Sequence, residues 1–511
     1  MASNPDTLRV TLVIERRTPC PGPPGSPGGA AAFISREQFA DRHAADEDDL
    51  ARAAGYAERR GLRVVARDRV ARTVLVEGEK EAVERAFAPP AGRAPGAPPG
   101  ELEGVVAAVI GLRPHPPARP HLPVPGAPAA SAPRFTCPEI ARLYRFPEAD
   151  GAGRTIAVLC LGGGFHRSDL DAFAASIGLP APEVAVVGVG GGANDPAPLE
   201  ELESLVRYLD TQHGPPPSDA ALFTLETTMD VELALGFAPG ARVAAYFAPA
   251  NDEQGFYQAL SAAVFDGANR PSAISLSWGW PEAEWQDDSA WILPVVEELL
   301  SEAGALGITF CASSGDSGAG GAGKAAWVPY PASSPYALSC GGTSIEVAGG
   351  EIVAETAWRQ RVGERIYSSG GGVSAIFPRP AFQAGIPLLD KDGRRGVPDV
   401  SGIADRGAGV AITVGGAVIA GGGTSAVAPL WSALAALLGQ ALGCPLGHAA
   451  PCLYAAARRD PGCFRDVTAG GNREYQASAG WDAVTGLGSP HGERLVAALR
   501  GEVAGGASGS G

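Results

Sequence analysis

Five short apolar runs, separated by helical segments, constrain the fold of residues 134–500 more than any other feature. Each run is nearly continuous in apolar residues and does not alternate them with polar ones: TIAVLCLGG, ARVAAYFAP, SAISLSWGW, GITFCASSGD and YALSCGGTS. Continuous apolar strands joined through helices are typical of a parallel sheet covered by helices on both faces. We therefore predict an α/β fold in which an active site would lie at the carboxyl ends of the strands.

A proline-rich stretch, residues 113–133, divides the chain and predicts an extended, exposed linker. Residues 1–112 carry strand and helix patterns in the order of a ferredoxin-like α+β sandwich. No chemistry is evident there, so these residues alone leave open a binding module, a structural cap or a propeptide. Residues 501–511 are rich in Gly and Ser and predict a flexible tail.

The composition and net charge of the chain disfavour some classes of binding partner. The chain has 511 residues and a formal net charge of −16, which argues against nucleic acid or an anionic membrane as partner. We expect no membrane-spanning segment, and the first residues lack the layout of a signal peptide. The eight cysteines show no C-x-x-C and no zinc-like spacing; three of them, Cys160, Cys311 and Cys340, lie in apolar strands that favour buried thiols.

The segment GGGTSAVAPLW, residues 421–431, places Thr424 and Ser425 between three glycines and an apolar helical run that ends at Gly443. At a helix N-terminus, unpaired backbone N–H groups and the helix dipole favour negative charge, which suits a nucleophile. Serine is also a common N-cap, so the segment alone fits both interpretations. A nucleophile would need a base from elsewhere in the chain.

No histidine is a convincing base. Of seven histidines, three precede or lie in the linker, and His213 lies in a polar, proline-rich loop. The segment FTLETTMDVELALGFAPG instead predicts a mostly apolar helix, stopped by Pro239 and Gly240, with Glu226 and Asp230 on one face. A solvated acidic surface is the simpler interpretation of such a pair, but carboxylates on a buried helix require another reason.

Carboxyl groups can replace histidine in an enzyme that works in acid. A carboxylate has its pKa near such a pH, whereas histidine would be protonated and could not accept a proton. A neutral carboxylic acid can also donate a hydrogen bond to a developing oxyanion. Asp316 follows an apolar strand in CASSGDSG and is a candidate for that donor, with a turn aspartate as the alternative.

Together, these motifs resemble the catalytic domain of the sedolisin, or serine-carboxyl peptidase, family. GGTSAVAP, ETTMDVE and SSGDSG match its nucleophile, acidic-helix and oxyanion segments, and SLSWGWPE, GGGVSAIFPRP and RGVPDVSG match further blocks in the same order. The resemblance implies a subtilisin-like fold over residues 134–500 and an acid-acting endopeptidase. Ser425 would be the nucleophile, Glu226 the general base, Asp230 the acid that orients it, and Asp316 the oxyanion donor.

The same resemblance implies a zymogen. Residues 1–112 would be an activation domain that inhibits the enzyme within its own chain, and residues 113–133 would contain the processing site. Substrates would be proteins or peptides, and we expect a monomer. Because the family is mostly secreted, the resemblance implies an extracellular protein, although no signal peptide is recognisable.

The family also binds one structural calcium ion near the C-terminus, and CFRDVTAGGNREYQASAGWDAVTGLGSP resembles that site. The resemblance implies carboxylate ligands from Asp466 and Asp482 and carbonyl ligands from Val467, Ser478 and Gly480. Calcium prefers such a mixed set of oxygens. The residues alone indicate only an Asp- and Gly-rich loop.

Two positions depart from the family pattern. Cys160 stands where relatives have a glutamate that extends the acidic hydrogen-bond network, while Trp278 of that network is kept. Pro329 aligns with an aspartate of the primary specificity pocket, so a preference for basic side chains does not follow.

Two functions other than a peptidase are alternatives for this sequence. The first is a binding protein of the same fold that has lost activity, which the intact serine and acidic set disfavours. The second is an esterase of the α/β-hydrolase type, which the absence of G-x-S-x-G around Ser425 disfavours.

Overall fold

The computed structural model of the protein describes residues 7–24, 33–112, 118–120, 135–211, 216–288, 290–320, 328–362 and 365–507. His213 lies outside these ranges, as does all of the linker except residues 118–120.

The N-terminal unit is one antiparallel sheet with helices packed on it. Its elements are β1 (Thr7–Ile14), α1 (Arg36–Arg42), α2 (Glu47–Glu58), β2 (Arg63–Asp68), β3 (Thr73–Glu79), α3 (Lys80–Ala86) and β4 (Val106–Ile110). The strand order is β2-β3-β1-β4 with every neighbour antiparallel, as in a ferredoxin-like sandwich. Ser35 begins α1 through a capping box with Gln38, which fixes the start of the helix.

The larger unit follows residues 113–117. Its helices are α4 (Cys137–Leu143), α5 (Arg167–Ser176), α6 (Leu199–Thr211), α7 (Asp219–Phe237), α8 (Glu253–Phe265), α9 (Glu282–Asp288), α10 (Leu293–Ala305), α11 (Pro387–Asp392), α12 (Val427–Leu442), α13 (Ala449–Arg459) and α14 (Gly492–Ala507). Its strands are β5 (Arg119–Pro120), β6 (Thr155–Cys160), β7 (Val184–Gly188), β8 (Arg242–Phe247), β9 (Ala273–Leu276), β10 (Trp278–Pro281), β11 (Thr309–Ser313), β12 (Pro329–Tyr330), β13 (Leu338–Ala348), β14 (Glu351–Ala357), β15 (Arg359–Val362), β16 (Arg365–Ser368), β17 (Gly372–Pro378), β18 (Arg394–Val397), β19 (Val400–Ile403), β20 (Val410–Val414), β21 (Ala417–Gly421), β22 (Phe464–Arg465) and β23 (Ser489–Pro490).

The central sheet has the order β14-β13-β11-β9-β6-β8-β7, with β19 also beside β13. All of its pairs are parallel except the antiparallel pair between β13 and β14. The five apolar runs form β6, β8, β9 with β10, β11 and β13. The run SAISLSWGW is divided at Ser277, because β10 leaves the central sheet and joins β5 and β12 in a small sheet.

Both faces of the central sheet are covered, as the continuous apolar strands predict. In β6, Ile156, Val158 and Cys160 pack in the core that contains α7 and α12. The alternate residues Ala157 and Leu159 pack in the core that contains α8 and α10. The predicted α/β fold with helices on both faces is therefore confirmed.

Helix α12 is the central helix of the larger core. It begins after a short 3-10 turn, residues 424–426, and ends at Gly443, whose φ of 72° closes the helix in the left-handed conformation. Residues Thr424–Leu442 are long and apolar enough to cross a membrane, but 83% of the most apolar window is buried inside the fold. None of the eight cysteines, all of which lie in the described ranges, forms a disulfide bond, and the predicted core thiols Cys160, Cys311 and Cys340 are buried.

The N-terminal unit packs against α8 and α10 of the larger unit. The amide of Gln258 in α8 donates to the Thr11 hydroxyl at 2.8 Å. Arg72 pairs with Glu298 of α10 at 2.7 Å, and Arg16 pairs with Glu302 of the same helix. Breaking a buried ion pair of this kind typically costs about 3–5 kcal/mol, so the contact ties the two units together.

The final helix corrects one prediction. The sequence predicts a flexible tail over 501–511, whereas α14 extends through Ala507. An existing helix continues through glycine at a cost of only about 1 kcal/mol per residue, because the costly nucleus has already formed. Residues 508–511 lie outside the described part of the chain.

Candidate active site

The predicted functional residues meet at the carboxyl ends of β9 and β11, beside α7 and the start of α12. Ser277 follows β9, Asp316 follows β11, and Ser425 lies in the turn that leads into α12. This is the sheet edge at which the parallel topology predicts a site. Glu226 and Asp230 are brought to the same place by α7.

Helix α7 is apolar on nearly all sides, so it is buried in the core. Ser218 begins the helix by accepting a hydrogen bond from the Ala221 N–H, and the helix ends before Pro239. Glu226 is 0% exposed and Asp230 is 1% exposed. The interpretation of this pair as a solvated acidic surface is therefore wrong.

The two buried carboxyl groups raise each other's proton affinity. Burial raises the pKa of Glu226 well above its usual range, and the charge of Asp230 raises it further. Burial likewise raises the pKa of Asp230, while a 2.7 Å hydrogen bond donated by the Ser277 hydroxyl opposes that rise. Both carboxyl groups therefore keep their protons to a higher pH than solvated carboxyl groups do.

Ser425 does not act as a helix cap, because no side chain caps either the 3-10 turn or α12. Its hydroxyl donates to the Ser277 carbonyl at 3.4 Å, a long contact. Neither oxygen of Glu226 has a hydrogen-bond partner in the described part of the chain, yet Ser425 is near enough to lower the Glu226 pKa. Hydrogen bonds between catalytic groups are often long without substrate and shorten when it binds.

Asp316 is 6% exposed and contacts Thr424, the residue that precedes Ser425. Its Oδ1 accepts hydrogen bonds from both the backbone N–H and the hydroxyl of Thr424, each at 2.9 Å. Its Oδ2 is buried without a partner among the described residues. Burial raises the pKa of Asp316 to about 7, although the two Thr424 bonds lower it. Asp316 therefore stays protonated in acid and can donate a hydrogen bond.

Sequence reasoning gave no role to two side chains of this site. The Ser277 hydroxyl lies 2.7 Å from Asp230 Oδ1 and 3.2 Å from the Ser425 carbonyl oxygen. Thr424 holds Asp316, as described above. The available signals were the polar Ser277 within an apolar strand run and the threonine directly before the candidate nucleophile. Neither signal reveals which carboxylate the hydroxyl meets, because both contacts join distant parts of the chain.

Of the two residues that depart from the family pattern, Cys160 lies near enough to Asp230 for the charge of that acid to act on its thiol. The Cys160 thiol is buried, and burial followed by the charge of Asp230 raises its pKa. Trp278 packs edge-on against Phe223, and its indole N–H has no hydrogen-bond partner in the described part of the chain. Pro329 in β12 pairs with Pro281 in β10, which places it in the small sheet beside the site.

The four histidines in the described ranges lie elsewhere. His43 and His166 contact backbone carbonyls of Thr18 and Ala197, respectively. His448 packs against Tyr336 and Phe382, and His491 borders a surface cleft with Arg494. None of these groups contributes to the pKa of Glu226, Asp230 or Asp316.

The predicted calcium residues lie in the segment between β22 and β23. The loop 478–482 is held to both carboxylates: the Gly480 N–H donates to Asp466 at 2.9 Å, and the Ser478 N–H donates to Asp482 at 3.0 Å. Asp482 also accepts from the N–H groups of Val484 and Thr485. No group of three or more His, Cys, Asp or Glu side chains suited to a metal occurs within the described ranges.

Comparisons with known proteins agree with this geometry. Residues 213–445 match the model of the Subtilase family. Kumamolisin from Bacillus sp. (strain MN-32) is 38% identical over 505 residues, which cover 92% of this chain and 86% of kumamolisin. Sedolisin from Pseudomonas sp. (strain 101) is 28% identical over 93% of this chain and 83% of its own length. The chain belongs to the sedolisin family.

A solved sedolisin supports the fold. Pseudomonas sedolisin, complexed with two molecules of pseudo-iodotyrostatin, aligns with a TM-score of 0.62 and 28% identity over 73% of this chain and 100% of that one. The predicted resemblance to this family and the subtilisin-like α/β fold are thus confirmed. As a member of the sedolisin family, the chain is a serine-type peptidase.

The buried acidic pair predicts how stability depends on pH. At a pH of about 4 or below, Glu226 is largely protonated in both the folded and the unfolded chain, so Glu226→Gln should change the melting temperature little. As pH rises towards 7, the unfolded chain loses this proton while burial resists its loss in the folded chain. The free energy of unfolding of the wild-type chain therefore falls as pH rises towards 7. Glutamine does not ionise, so Glu226→Gln should raise the melting temperature at pH 7 by several degrees.

Thermal unfolding at about pH 4 and pH 7 measures this effect, with Ser425→Ala present in every chain to limit self-digestion. Glu200→Gln, on the exposed face of α6, is the control and should change neither value. An equal effect of Glu226→Gln at both pH values would contradict the raised pKa.

Proposed function

We propose that this peptidase is an acid-acting endopeptidase, made as a self-processing zymogen. The observation that carries the proposal is the convergence of Ser425, Glu226, Asp230 and Asp316 without any histidine of the described ranges beside them. Each of these groups is buried, so each is held in a fixed position at the edge of the sheet.

In this mechanism, the Ser425 oxygen attacks the carbonyl carbon of the peptide bond. Glu226 takes the hydroxyl proton as the bond forms and later passes it to the leaving amine. Asp230 stays protonated and keeps Glu226 oriented. The hydroxyl of Ser277 holds Asp230 in place by a hydrogen bond. Protonated Asp316 donates to the oxyanion, and a water molecule then hydrolyses the acyl-enzyme with Glu226 again as base.

Acid dependence follows from the protonation states that these steps need. The Glu226–Asp230 pair must have lost one proton so that Glu226 can act as base. Asp316 must still hold its proton, which it loses as pH rises through its pKa of about 7. Activity therefore requires a pH between these two ionisations.

A segment of the linker supports the assignment as an endopeptidase. β5, residues 119–120, lies antiparallel to β10, with Pro120 opposite Trp278 and Arg119 opposite Gly279. An internal stretch of chain thus lies along the strand that begins beside Ser277. A strand that pairs with an internal segment of chain suits cleavage within chains, because substrate strands commonly bind the edge of a strand in this way.

The same contact supports inhibition by the N-terminal unit within its own chain. That unit is anchored on α8 and α10, and the linker leads from it to β10 beside the site. Protein or peptide substrates would have to displace β5. In line with the family resemblance, we also propose that the enzyme is secreted and acts as a monomer.

We propose one structural calcium ion in the C-terminal segment. The two carboxylates of Asp466 and Asp482 are tied to one loop, whose carbonyl groups at Ser478 and Gly480, with that of Val467, complete a donor set of the type calcium prefers. When bound, the ion would cross-link this loop to the segment after β22. No catalytic step depends on it.

The proposed nucleophile is tested by Ser425→Ala. The variant should lose casein cleavage and self-processing in acid, with turnover reduced on the order of 10⁶-fold, because no other group can form the acyl-enzyme. Ser432→Ala is the matched control, since this buried serine lies within α12 and its hydroxyl donates to the Ala428 and Ile274 carbonyls. Gel analysis of each purified chain over time in acid gives the result. Maturation of purified Ser425→Ala by itself would refute the assignment.

The calcium site is tested by Asp466→Ala. Calcium at about one hundred times its dissociation constant should stabilise the wild-type chain by about 2.7 kcal/mol, and removal of a ligand should abolish that increment. The measurement is the melting temperature with calcium and with a chelator. Glu474→Ala, which removes an exposed acid of the same segment, should keep the full increment. If the wild-type melting temperature does not depend on calcium, the site is refuted.

A further inference from the structure

The hydrogen bonds of Asp316 are unequally divided between its two oxygens. Oδ1 receives both the N–H and the hydroxyl of Thr424, each at 2.9 Å, whereas Oδ2 receives no hydrogen bond from the described residues. In a protonated carboxyl group, the carbonyl oxygen is the better acceptor and the hydroxyl oxygen is the donor. Two donors at Oδ1 therefore favour placing the proton on Oδ2.

The direction of the Thr424 hydroxyl is also fixed. Its oxygen accepts the Gly315 N–H at 3.0 Å, so its own hydrogen is free to point at Asp316. Gly315, which precedes Asp316, and Gly423, which precedes Thr424, both adopt a conformation that other residues rarely adopt, with φ of 97° and 78°. The glycines of SSGDSG and GGTSAVAP thus bring the threonine and the aspartate together.

We propose that Thr424 is a positioning residue that holds the proton of Asp316 on Oδ2, the oxygen that donates to the oxyanion. The inference rests on the proposed function, in which Asp316 is that donor. Without the Thr424 hydroxyl, only the Thr424 N–H would still donate to Oδ1, so the preference for the proton on Oδ2, the placement that serves the reaction, would weaken.

The proposal has a consequence that a merely structural threonine would not have. A donated hydrogen bond stabilises the ionised form of a carboxyl group more than the neutral form. Loss of the Thr424 hydroxyl should therefore raise the Asp316 pKa. The titratable group that faces Asp316 is Glu226, whose pKa the Asp316 charge raises, and beyond it lies Asp230. Within the described part of the chain, no hydrogen bond joins either acid to Thr424, so the substitution acts on Asp316 first.

The test is the pH dependence of kcat/KM for an internally quenched peptide, measured with the mature enzyme. Thr424→Val should lower kcat/KM about tenfold at its optimum, as expected for one lost hydrogen bond. It should also move the alkaline limb upwards by about half a pH unit to one pH unit. Thr424→Ser keeps the hydroxyl, so its alkaline limb should coincide with that of the wild type and its kcat/KM should largely recover.

Two controls separate the possible causes. Thr309→Val removes another buried threonine hydroxyl, which donates to the Gly447 carbonyl at 2.8 Å, and it should leave the pH profile unchanged. Asp316→Asn removes the titration itself, so its alkaline limb should flatten. If Asp316→Asn leaves that limb in place, the proposed role of Asp316 is wrong, and the inference about Thr424 falls with it.

If Asp316→Asn flattens the limb but Thr424→Val leaves it in place or lowers it, only the inference about Thr424 is overturned. The same holds if Thr424→Ser behaves like Thr424→Val. Should Thr424→Val prevent folding, Thr424→Cys supplies the measurement, because a thiol is only a weak donor yet leaves an acceptor for Gly315. An upward shift in Thr424→Cys supports the proposal, and an unshifted limb overturns it.

Discussion

The candidate active site depends on the burial of two carboxyl groups, Glu226 and Asp230, on one helix. Burial in a core disfavours a charged carboxylate, and an adjacent carboxylate disfavours it again. These penalties give the pair its high proton affinity. A helix must be held firmly to keep such a pair in place, and the apolar surface of α7, packed on α12 and the central sheet, supplies that support.

The sheet supplies the remaining groups at fixed positions. Ser277 lies where β10 leaves the central sheet, and Asp316 lies after β11, the parallel neighbour of β9. The turn before α12 brings Thr424 and Ser425 to the same edge. Two of the three carboxyl groups at this edge accept a hydrogen bond from a hydroxyl: Asp230 from Ser277, and Asp316 from Thr424. Hydroxyl donors adjust the proton affinity of a buried acid without adding charge.

The sequence predicted the strands, the acidic helix and the candidate nucleophile because each has a local signal. Continuous apolar runs identified the parallel sheet, and four-residue spacing placed Glu226 and Asp230 on one face. Residue pattern alone left Ser425 and Asp316 ambiguous, and only the resemblance to a family gave them roles.

The contact of Thr424 with Asp316 spans 108 positions along the chain, and that of Ser277 with Asp230 spans 47. Contacts over such separations depend on the folded chain and leave no local pattern. The docking of Arg16 and Arg72 on α10 escaped prediction for the same reason.

The central claim is that carboxyl groups alone activate the serine and stabilise the oxyanion. The most direct measurement is the pH dependence of kcat/KM for the wild-type mature enzyme on a peptide substrate without ionisable groups near the cleaved bond. The account predicts a bell-shaped profile with its maximum in acid, in which activity falls as pH rises through the pKa of Asp316, about 7. A histidine base, with an ordinary pKa of about 6.5, would instead gain activity as pH rises through neutrality. Activity that rises towards neutral pH and persists in alkali would contradict the account.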